Sequence, residues 1–210
     1  MALTAPSERI RPTQAERRDR TRSALLESAA RGLSRYGYSN LVLEQVAREA
    51  GYTRGALYHQ FANKEELAVA VVAWVEETWY AQMGRLIAGD DDPVGALVAI
   101  ARGHAEYCRR DVARVMMTLR VEFSGRDHPV GRAVAEAVDR VLSHCTRLVA
   151  AGRKNGSIPP GPPPPVLAAA LVGALEGLVI SLSGQAPFDV ELSEKVALSL
   201  LGGAPASKPA

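Results

Sequence analysis

Aromatic residues are scarce in this 210-residue sequence, and their scarcity narrows the fold. Phenylalanine, tryptophan and tyrosine together supply 5% of the residues, while alanine, leucine and valine dominate. No stretch alternates polar and apolar residues long enough to demand a strand, so a sandwich or barrel is disfavoured. The composition therefore predicts an all-α protein of one or two domains, large enough to bury a sizeable core.

Cysteine is also rare, with only Cys108 and Cys145, which lie 37 residues apart in apolar helical settings. This argues against a disulfide framework and favours a reducing cytoplasm. Both are interpreted as small core residues; a redox-sensing pair is the alternative, and it would require exposed thiols of lowered pKa. No charged start followed by an apolar run marks a signal peptide, so a cytoplasmic location is expected.

Catalytic motifs are missing as well. The sequence has no G-x-S-x-G elbow, no P-loop, no G-x-G-x-x-G after a strand and no His/Cys cluster at metal-ligand spacing. It therefore predicts no enzyme, no metal site and no cofactor.

One apolar run, residues 166–183, raises the question of a membrane. Glu176 stands in its middle, where a carboxylate would cost about 2.5–3.5 kcal/mol in lipid. The run is also barely long enough to span a bilayer. A buried helix is therefore expected, and no membrane partner.

Charge is unevenly distributed along the chain. Residues 1–64 hold 11 Arg and Lys against 6 Asp and Glu, a balance of +5, whereas residues 65–210 hold 14 against 17, a balance of −3. A basic head on a mildly acidic body is typical of a nucleic-acid-binding domain joined to a separate domain. An ordinary solvated basic helix is the alternative.

A helix is predicted over residues 41–50, because Val46, Ala47 and Ala50 form an apolar stripe at helical spacing. Gly51 can then adopt the left-handed conformation that ends a helix without a Cβ clash.

A second short helix is predicted over residues 54–61, with Thr53 as its N-cap and with Leu57 and Phe61 facing inward. Two helices joined by a tight glycine turn form a helix-turn-helix, which places its second helix in a DNA major groove.

The run AREAGYTRGALYHQFANKEEL resembles the tetracycline-repressor (TetR-type) family of one-component bacterial transcription regulators. An A-x-x-A-G turn, a G-x-L-Y-x-x-F core and a following lysine coincide there, on Ala47, Ala50, Gly51, Gly55, Leu57, Tyr58, Phe61 and Lys64. The resemblance covers about residues 14–70. It implies about nine helices: a helix-turn-helix three-helix domain over residues 14–63, and a helical effector-binding and dimerisation domain over 64–201. A disordered basic arm (1–13) and a disordered tail (202–210) are expected to flank them.

One departure from the family pattern precedes the second helix. Family members usually carry Ser or Thr there, whereas this chain has Leu41 and Val42. Asn40 or Ser39 is predicted to cap the helix instead.

Nine residues are predicted to contact DNA. Arg54 is assigned to a guanine edge, while the small Gly55 and Ala56 permit close approach and contact with a thymine methyl. Tyr58 and His59 are assigned to phosphates, although a packed aromatic is the alternative for Tyr58. The first helix adds phosphate contacts, and the resemblance implies a phosphate anchor at the lysine. The set is Arg17, Arg18, Thr53, Arg54, Gly55, Ala56, Tyr58, His59 and Lys64.

The resemblance also implies that a small molecule enters the helical body and moves the DNA-binding heads. Candidate pocket residues are large or polar groups on or beside apolar stripes. They are Trp74, Trp79, Met83, His104, Tyr107, Met116, Arg120, Phe123, His144 and Glu176. A hydrogen-bonded core histidine is the alternative for His104.

The last two predicted helices, residues 166–183 and 190–201, are apolar on too many sides for a small monomer. Gly173 and Gly177 recur four residues apart, which permits close helix packing. The continuing seam is Leu178, Ile180, Leu192, Val196 and Leu200. These residues predict a homodimer whose recognition helices lie one DNA turn apart, about 34–36 Å; burial within one subunit is the alternative.

Together these features predict a DNA-binding transcription regulator, favoured as a repressor that a small apolar or aromatic effector releases from a two-fold operator. The expected partners are double-stranded DNA, the effector and a second copy of the chain. One alternative is a constitutive or architectural DNA-binding dimer without an effector. The other is a protein-regulated repressor whose partner binds the proline-rich segment 159–165, which otherwise serves as a stiff extended connector.

Overall fold

The computed structural model describes residues 13–87, 92–182 and 184–202, with side chains omitted for residues 85–87, and every regular element within these ranges is an α-helix. This confirms the predicted all-α class. The arm and tail predicted at the two ends lie outside the described residues apart from Thr13 and Gly202. The helices are α1 (Gln14–Tyr36), α2 (Leu43–Glu49), α3 (Arg54–Gln60), α4 (Lys64–Ile87), α5 (Pro93–Tyr107), α6 (Val115–Glu122), α7 (Pro129–Asn155), α8 (Pro164–Leu182) and α9 (Phe188–Leu200).

Helix α1 begins with a capping box. Thr13 Oγ1 accepts a hydrogen bond from the Glu16 amide at 3.2 Å, and the Glu16 carboxylate accepts one from the Thr13 amide at 2.7 Å. Leu25 and Leu33, in the apolar stripe of α1, are fully buried, and α1 packs against α2, α4 and α6. The buried Ser28 hydroxyl also donates to the Val46 carbonyl at 3.0 Å, which joins α1 to α2.

The turn between α2 and α3 has the predicted chemistry. Gly51 has φ +79°, and the amide of Tyr52 donates to the Ala47 carbonyl at 2.9 Å. Thr53 Oγ1 then accepts from the Ala56 amide at 3.2 Å, so the predicted N-cap of α3 is confirmed. Leu57 and Phe61 are both buried, as predicted.

The predicted cap of α2 is wrong. Val42 occupies the cap position, and no side chain of the described residues completes a hydrogen bond there. Ser39 Oγ instead donates to the Glu122 carboxylate at 2.5 Å, and the Asn40 side-chain amide donates to the Tyr36 carbonyl at 3.1 Å. Both polar residues are thus committed to the preceding turn, and the apolar Val42 precedes the first residue of α2.

Helix α4 continues from the head into the body. The amide of Glu66 donates to Asn63 Oδ1 at 2.9 Å, while the Glu66 carboxylate accepts from the Ala62 amide at 2.8 Å. The helix packs on α1 at one end and on α5 and α7 further along. Its buried residues Leu67 and Val71 belong to a core that also contains Leu25 of the head and Leu119 of the body. The hydrophobic core is therefore continuous across the head–body boundary.

A second core fills the far end of the body. It joins α5, α7, α8 and α9 through Leu97, Leu148, Leu171 and Ala197. A cavity that is partly open to solvent lies between the two cores, lined by α4, α5, α6, α7 and α8.

Helix α8 begins earlier than predicted and leaves part of its apolar surface uncovered. It begins at Pro164, so the last two prolines of the predicted connector form its first turn, where a missing amide costs nothing. Helix α8 is long and apolar enough to cross a membrane, with a mean hydropathy of 2.0. Within this chain, 28% of its apolar stretch is buried. Only the stripe through Leu171 and Val179 contacts the chain's own core, and Ile180 is 63% exposed, so part of the apolar surface of α8 is uncovered within one subunit.

Two glycines should respond oppositely to the same substitution. Gly51→Ala is expected to destabilise the protein by about 1–2 kcal/mol, because a Cβ is strained at φ +79° although no atom of the described residues lies within 4 Å of it. Gly84→Ala, within α4 and equally open, is expected to stabilise by about 0.5–1 kcal/mol through helix propensity. Urea unfolding followed by circular dichroism at one fixed protomer concentration measures both. Shifts of the same sign would contradict this account.

Candidate nucleic-acid interface and effector cavity

Four of the predicted DNA-contacting residues share the exposed face of α3. Arg54, Gly55, Tyr58 and His59 are all exposed, whereas Leu57 anchors the opposite face in the core. Tyr58 is 40% exposed, so it is not the fully packed aromatic of the alternative interpretation. Ala56 is half-buried and contributes mainly its backbone amide, which Thr53 caps.

Glu44 fixes the position of Arg54. Arg54 Nη1 lies 2.9 Å from a Glu44 carboxylate oxygen on α2, and its guanidinium carbon lies 5.3 Å from the centroid of the Tyr58 ring. Both charged side chains remain about half exposed or more. The sequence analysis did not identify Glu44, because the Glu44–Arg54 contact joins two helices across the turn and no local sequence pattern predicts it.

The predicted phosphate contacts of α1 lie beside the recognition helix. Arg17 and Arg18 line a groove shared with His59 and Gln60, between the start of α1 and the end of α3. Arg22 closes the inner side of this groove with its guanidinium carbon 4.6 Å from the Phe61 ring centroid. The basic groove is thus continuous with the exposed face of α3.

Lys64 is located at the junction between head and body. Its Nζ donates to the Ser39 carbonyl at 3.0 Å and lies 4.8 Å from the centroid of the Tyr38 ring. Burial lowers the pKa of Lys64, and the nearby Glu122 carboxylate partly opposes that effect. The lysine therefore holds the α1–α2 turn in addition to any phosphate contact.

Glu122, at the end of α6, receives three hydrogen bonds from the same turn. The donors are the Tyr38 amide at 2.6 Å, the Ser39 amide at 2.8 Å and the Ser39 hydroxyl at 2.5 Å. Burial by itself would raise the pKa of the Glu122 carboxyl, but these bonds and the Lys64 charge together hold that pKa below its ordinary value of 4.5. A body residue thus fixes a turn of the DNA-binding head.

Aromatic packing reinforces this junction. The rings of Phe123 and His128 stack at 4.4 Å, and Tyr38 meets both edge-on at 5.2 and 5.3 Å. His128 Nε2 lies 3.5 Å from a Glu65 carboxylate oxygen at the start of α4. We define the head–body junction as Tyr38, Ser39, Lys64, Glu122, Phe123 and His128.

The body contains an apolar cavity of about 120 Å³ between α4, α5, α6, α7 and α8. Five predicted ligand residues line it: Trp79, His104, Tyr107, Met116 and Glu176. Sequence reasoning missed its other walls, among them Glu76 and Val138, because they looked like ordinary helix-surface or core positions. Among the described residues, no three His, Cys, Asp or Glu side chains converge as a metal site requires.

Hydrogen bonds hold the polar groups of the cavity wall. Trp79 Nε1 donates to His104 Nδ1 at 3.2 Å. The hydroxyls of Tyr107 and Thr78 lie 2.8 Å apart, and Tyr107 also donates to the Val75 carbonyl at 3.1 Å. Burial lowers the pKa of His104 to about 4, so its imidazole is neutral at physiological pH.

Two carboxylates reach the cavity wall, and each is paired with an arginine. Arg140 binds Glu76 through two hydrogen bonds of 2.6 and 2.7 Å. Arg120 binds both oxygens of Glu176 at 3.1 Å. The negative charge of Glu176, in the middle of an apolar helix, is therefore neutralised by Arg120 of α6.

The other five predicted ligand residues do not line this cavity. Arg120 reaches it only through Glu176, and Phe123 belongs to the head–body junction. Met83 is fully buried, Trp74 packs against the core nearer the head, and His144 lines a separate surface cleft with Tyr80. Neighbouring positions on a helix point in different directions, and the sequence alone did not fix which face met the cavity.

The two cysteines have the environment of core residues. Cys108 and Cys145 are both buried. Burial raises the pKa of Cys108 to about 12 and that of Cys145 to about 11. Neither thiol has the exposure or the lowered pKa that the redox alternative required.

Residues of the predicted dimer seam lie on an uncovered face of α8 and α9. Within the described part of the chain, no atom lies within 4 Å of a Cβ built on Gly173 or Gly177. Ile180 is 63% exposed, and Leu192 and Leu200 are each 37% exposed, whereas Leu178 and Val196 are half-buried. Val166 and Phe188, which sequence reasoning missed, extend this apolar face and are 55% and 59% exposed.

A three-helix head with an exposed recognition helix, joined to a helical body with an apolar cavity, defines a helix-turn-helix DNA-binding regulator. Residues 25–71 match the model of the family described as bacterial regulatory proteins, tetR family. The head of this chain is therefore similar to the DNA-binding region of that family.

Similar proteins agree with this assignment. The A-factor receptor protein of Streptomyces griseus is 28% identical over 158 residues, which cover 74% of this chain and 52% of that protein. The HTH-type transcriptional regulator TtgR of Pseudomonas putida is 34% identical over 90 residues, 42% of each chain. The chain thus spans about half the length of these curated relatives.

Structural similarity extends over most of the chain. The crystal structure of AibR in complex with isovaleryl coenzyme A and operator DNA has a TM-score of 0.69 at 19% identity. The match covers 88% of this chain and 100% of that one. It shows that the two proteins share the fold of head and body.

Removal of the Glu122 carboxylate should weaken the head–body junction. Glu122→Ala is expected to destabilise by about 1–2 kcal/mol, the lower part of the range for charge-assisted hydrogen bonds, because the carboxylate is only half-buried. Because its folded pKa lies below 4.5, the stabilisation is complete above the unfolded pKa and is lost as the pH falls through the folded value. Urea unfolding at a series of pH values from 7 downward measures both effects.

Glu27→Gln is the matched control, since Glu27 forms an exposed ion pair with Arg31 on the surface of α1. It should change stability by less than about 0.5 kcal/mol. A Glu122→Ala effect no larger than that of the control, or one independent of pH, would contradict the role assigned to the carboxylate.

Proposed function

We propose that this protein is a cytoplasmic transcriptional repressor that binds a two-fold operator as a homodimer and is released by a small apolar or aromatic effector. The observation that carries the proposal is the position of α6. Met116 of this helix lines the cavity, and Glu122 at its end binds the turn that follows α1 in the head. One short helix therefore contacts both the effector cavity and the DNA-binding head.

The exposed face of α3 has the chemistry of base recognition. A guanidinium held at the start of the helix can form two hydrogen bonds with guanine O6 and N7. Glu44 and Tyr58 reduce the number of conformations available to Arg54 before DNA binds. Gly55 leaves room for close approach, and Arg17 and Arg18 supply phosphate contacts from the neighbouring groove.

The uncovered face of α8 and α9 supports the homodimer. It combines two glycines that leave open space with a continuous row of exposed apolar side chains. A second copy related by a two-fold axis would cover this face with the same face, which is how symmetric dimers bury apolar surface. The dimer then matches two recognition helices to the two halves of an operator.

An effector could control DNA binding if the head–body junction has two states, one with α6 in its present position and one with α6 displaced. A ligand that fits the cavity better when α6 is displaced would favour the displaced state in proportion to its difference in affinity. Displacement of α6 would move the Glu122 carboxylate away from the Tyr38 and Ser39 amides and so release the head from its operator-binding position. AibR, which was crystallised with both isovaleryl coenzyme A and operator DNA, supports effector and DNA binding on this fold.

Fluorescence anisotropy with labelled DNA from the gene's own upstream region tests the proposal, with scrambled DNA as the control and the salt concentration fixed. A preference for upstream DNA of about 10³-fold or more is expected of a specific regulator. Apolar compounds that reduce this anisotropy would be effectors. Specific binding that no compound in a broad library reverses would favour the constitutive alternative, and equal weak binding to both DNAs would count against an operator in that region.

Two arginines should affect DNA binding in different ways. Arg54→Ala is expected to reduce the preference for operator over scrambled DNA by about 1–3 kcal/mol, because it removes a base contact. Arg17→Ala should weaken binding to both DNAs equally and lower the slope of log affinity against log salt by about 1, because it removes a phosphate contact. The same anisotropy titrations at several salt concentrations measure both. An Arg54→Ala protein with full operator preference would refute the base-reading assignment.

A bulky residue in the glycine face should block dimerisation without harming the subunit. Gly177→Leu is expected to shift the protein to monomers, since its side chain meets open space within one chain but would separate two packed copies. Gly84→Leu is the matched control, as Gly84 is also helical and open but lies on α4. Sedimentation velocity measures the masses. Both variants dimerising like the wild type would remove the proposed interface.

A further inference from the structure

The cavity, which is partly open to solvent, has room for a compact molecule. Its volume of about 120 Å³ is slightly smaller than the roughly 150 Å³ engineered cavity that binds benzene in another protein. Its wall consists mainly of aliphatic side chains such as Ile100, Val141 and Leu175. One ring or a short branched chain fills such a space, and this inference rests on the proposed effector site.

Trp79 fixes the tautomer of His104. The indole nitrogen is only a donor, so the His104 Nδ1 that accepts its hydrogen bond at 3.2 Å carries no proton. The neutral imidazole must then carry its proton on Nε2. His104, which is one of the residues lining the cavity, therefore carries one N–H donor of fixed identity.

That donor has a poor acceptor within the chain. Cys108 Sγ lies 3.7 Å from His104 Nε2 and 3.9 Å from Nδ1, so it is not aligned with the Nε2–H bond, and a thiol sulfur is in any case a weak acceptor. Both residues line the cavity. An oxygen of a bound molecule would make a stronger hydrogen bond with Nε2–H than the sulfur does, which gives a ligand with one acceptor an advantage at this point of the wall.

The surrounding charges disfavour ionic ligands. An anion would find Arg140 and Arg120 already paired with the Glu76 and Glu176 carboxylates at the wall. A cation would find each of those carboxylates already bound by Arg140 or Arg120, and it would face the Nε2–H donor. Either ion would also lose its hydration among aliphatic side chains.

We propose that the effector is a neutral, compact apolar molecule with a single hydrogen-bond acceptor, such as a ketone or ether oxygen, that binds the Nε2–H of His104. The hydrogen bond selects the class of ligand, while the aliphatic wall supplies most of the affinity. His104 is thus a specificity-determining residue of the cavity.

Four probes of similar size test the proposal: cyclohexanone, methylenecyclohexane, cyclohexylammonium and cyclopentanecarboxylate. The first two have the same shape but differ in the acceptor. Their dissociation constants are measured by Trp79 fluorescence in a Trp74→Phe background, since the chain has two tryptophans. Wild-type His104 is compared with His104→Leu and His104→Gln.

In His104→Leu, binding of cyclohexanone is expected to weaken about tenfold, because its oxygen loses the donor. Binding of methylenecyclohexane should change less than about twofold. His104→Gln, which keeps a donor and an acceptor, should restore at least half of the loss on a logarithmic scale. His144→Leu, outside the cavity, should leave all four constants unchanged. Both ions should bind at least tenfold more weakly than cyclohexanone.

Equal losses for both neutral probes in His104→Leu, tighter binding of either ion, or no binding of any probe would overturn the proposal. Far-UV circular dichroism shows whether each variant is folded. If His104→Leu does not fold, the comparison of wild type with His104→Gln still tests the proposal. Operator binding of the unliganded wild type is measured in parallel. It separates failure of the proposed ligand class from failure of the proposed regulator function. If it is specific while the His104 result fails, only the ligand class is wrong, and if it is absent, the proposed regulator function fails.

Discussion

The geometry of this protein depends on one carboxylate. Glu122 lies at the end of a helix of the body and accepts three hydrogen bonds from the turn at Tyr38 and Ser39 in the head. The two backbone amides of that turn follow the end of α1, and the carboxylate supplies their acceptor. Because α2 and α3 follow directly from the turn, this contact and the packing of α1 on α4 and α6 together set their position relative to the body. Lys64 and the stacked Phe123 and His128 rings surround it.

The apolar cavity and the turn between α1 and α2 are joined through the same short element. Helix α6 carries Met116 at the cavity wall, Arg120 in its pair with Glu176, and Glu122 at the head. The core is continuous through α1, α4 and α6. Because it is closely packed, a shift of one of these helices costs free energy unless the helices packed against it also move. A packed core with a charged contact at its margin is suited to two discrete arrangements rather than gradual deformation.

Local chemistry made the head predictable. The capping box at Thr13, the left-handed Gly51 and the Thr53 cap each involve residues within a few positions of one another. The cap of α2 was not predictable, because Ser39 is engaged by a residue 83 positions away. In the body, helical periodicity predicted where the helices lie in the sequence, but not which face of each helix points toward the cavity. Trp79 and His104 therefore meet in the cavity, whereas Trp74 and Met83, on the same helix as Trp79, do not line it.

The sequence by itself determined the helical class, the helix-turn-helix and the resemblance to the TetR family, because these depend on short-range spacing and on residue types that a tight turn requires. It also determined that α8 and α9 carry more apolar surface than one subunit covers. The tertiary structure alone decided which side chains form the cavity, that Glu44 positions Arg54, and that Glu122 joins body to head. Those contacts join residues far apart in the chain, and only the packing of the helices brings them together.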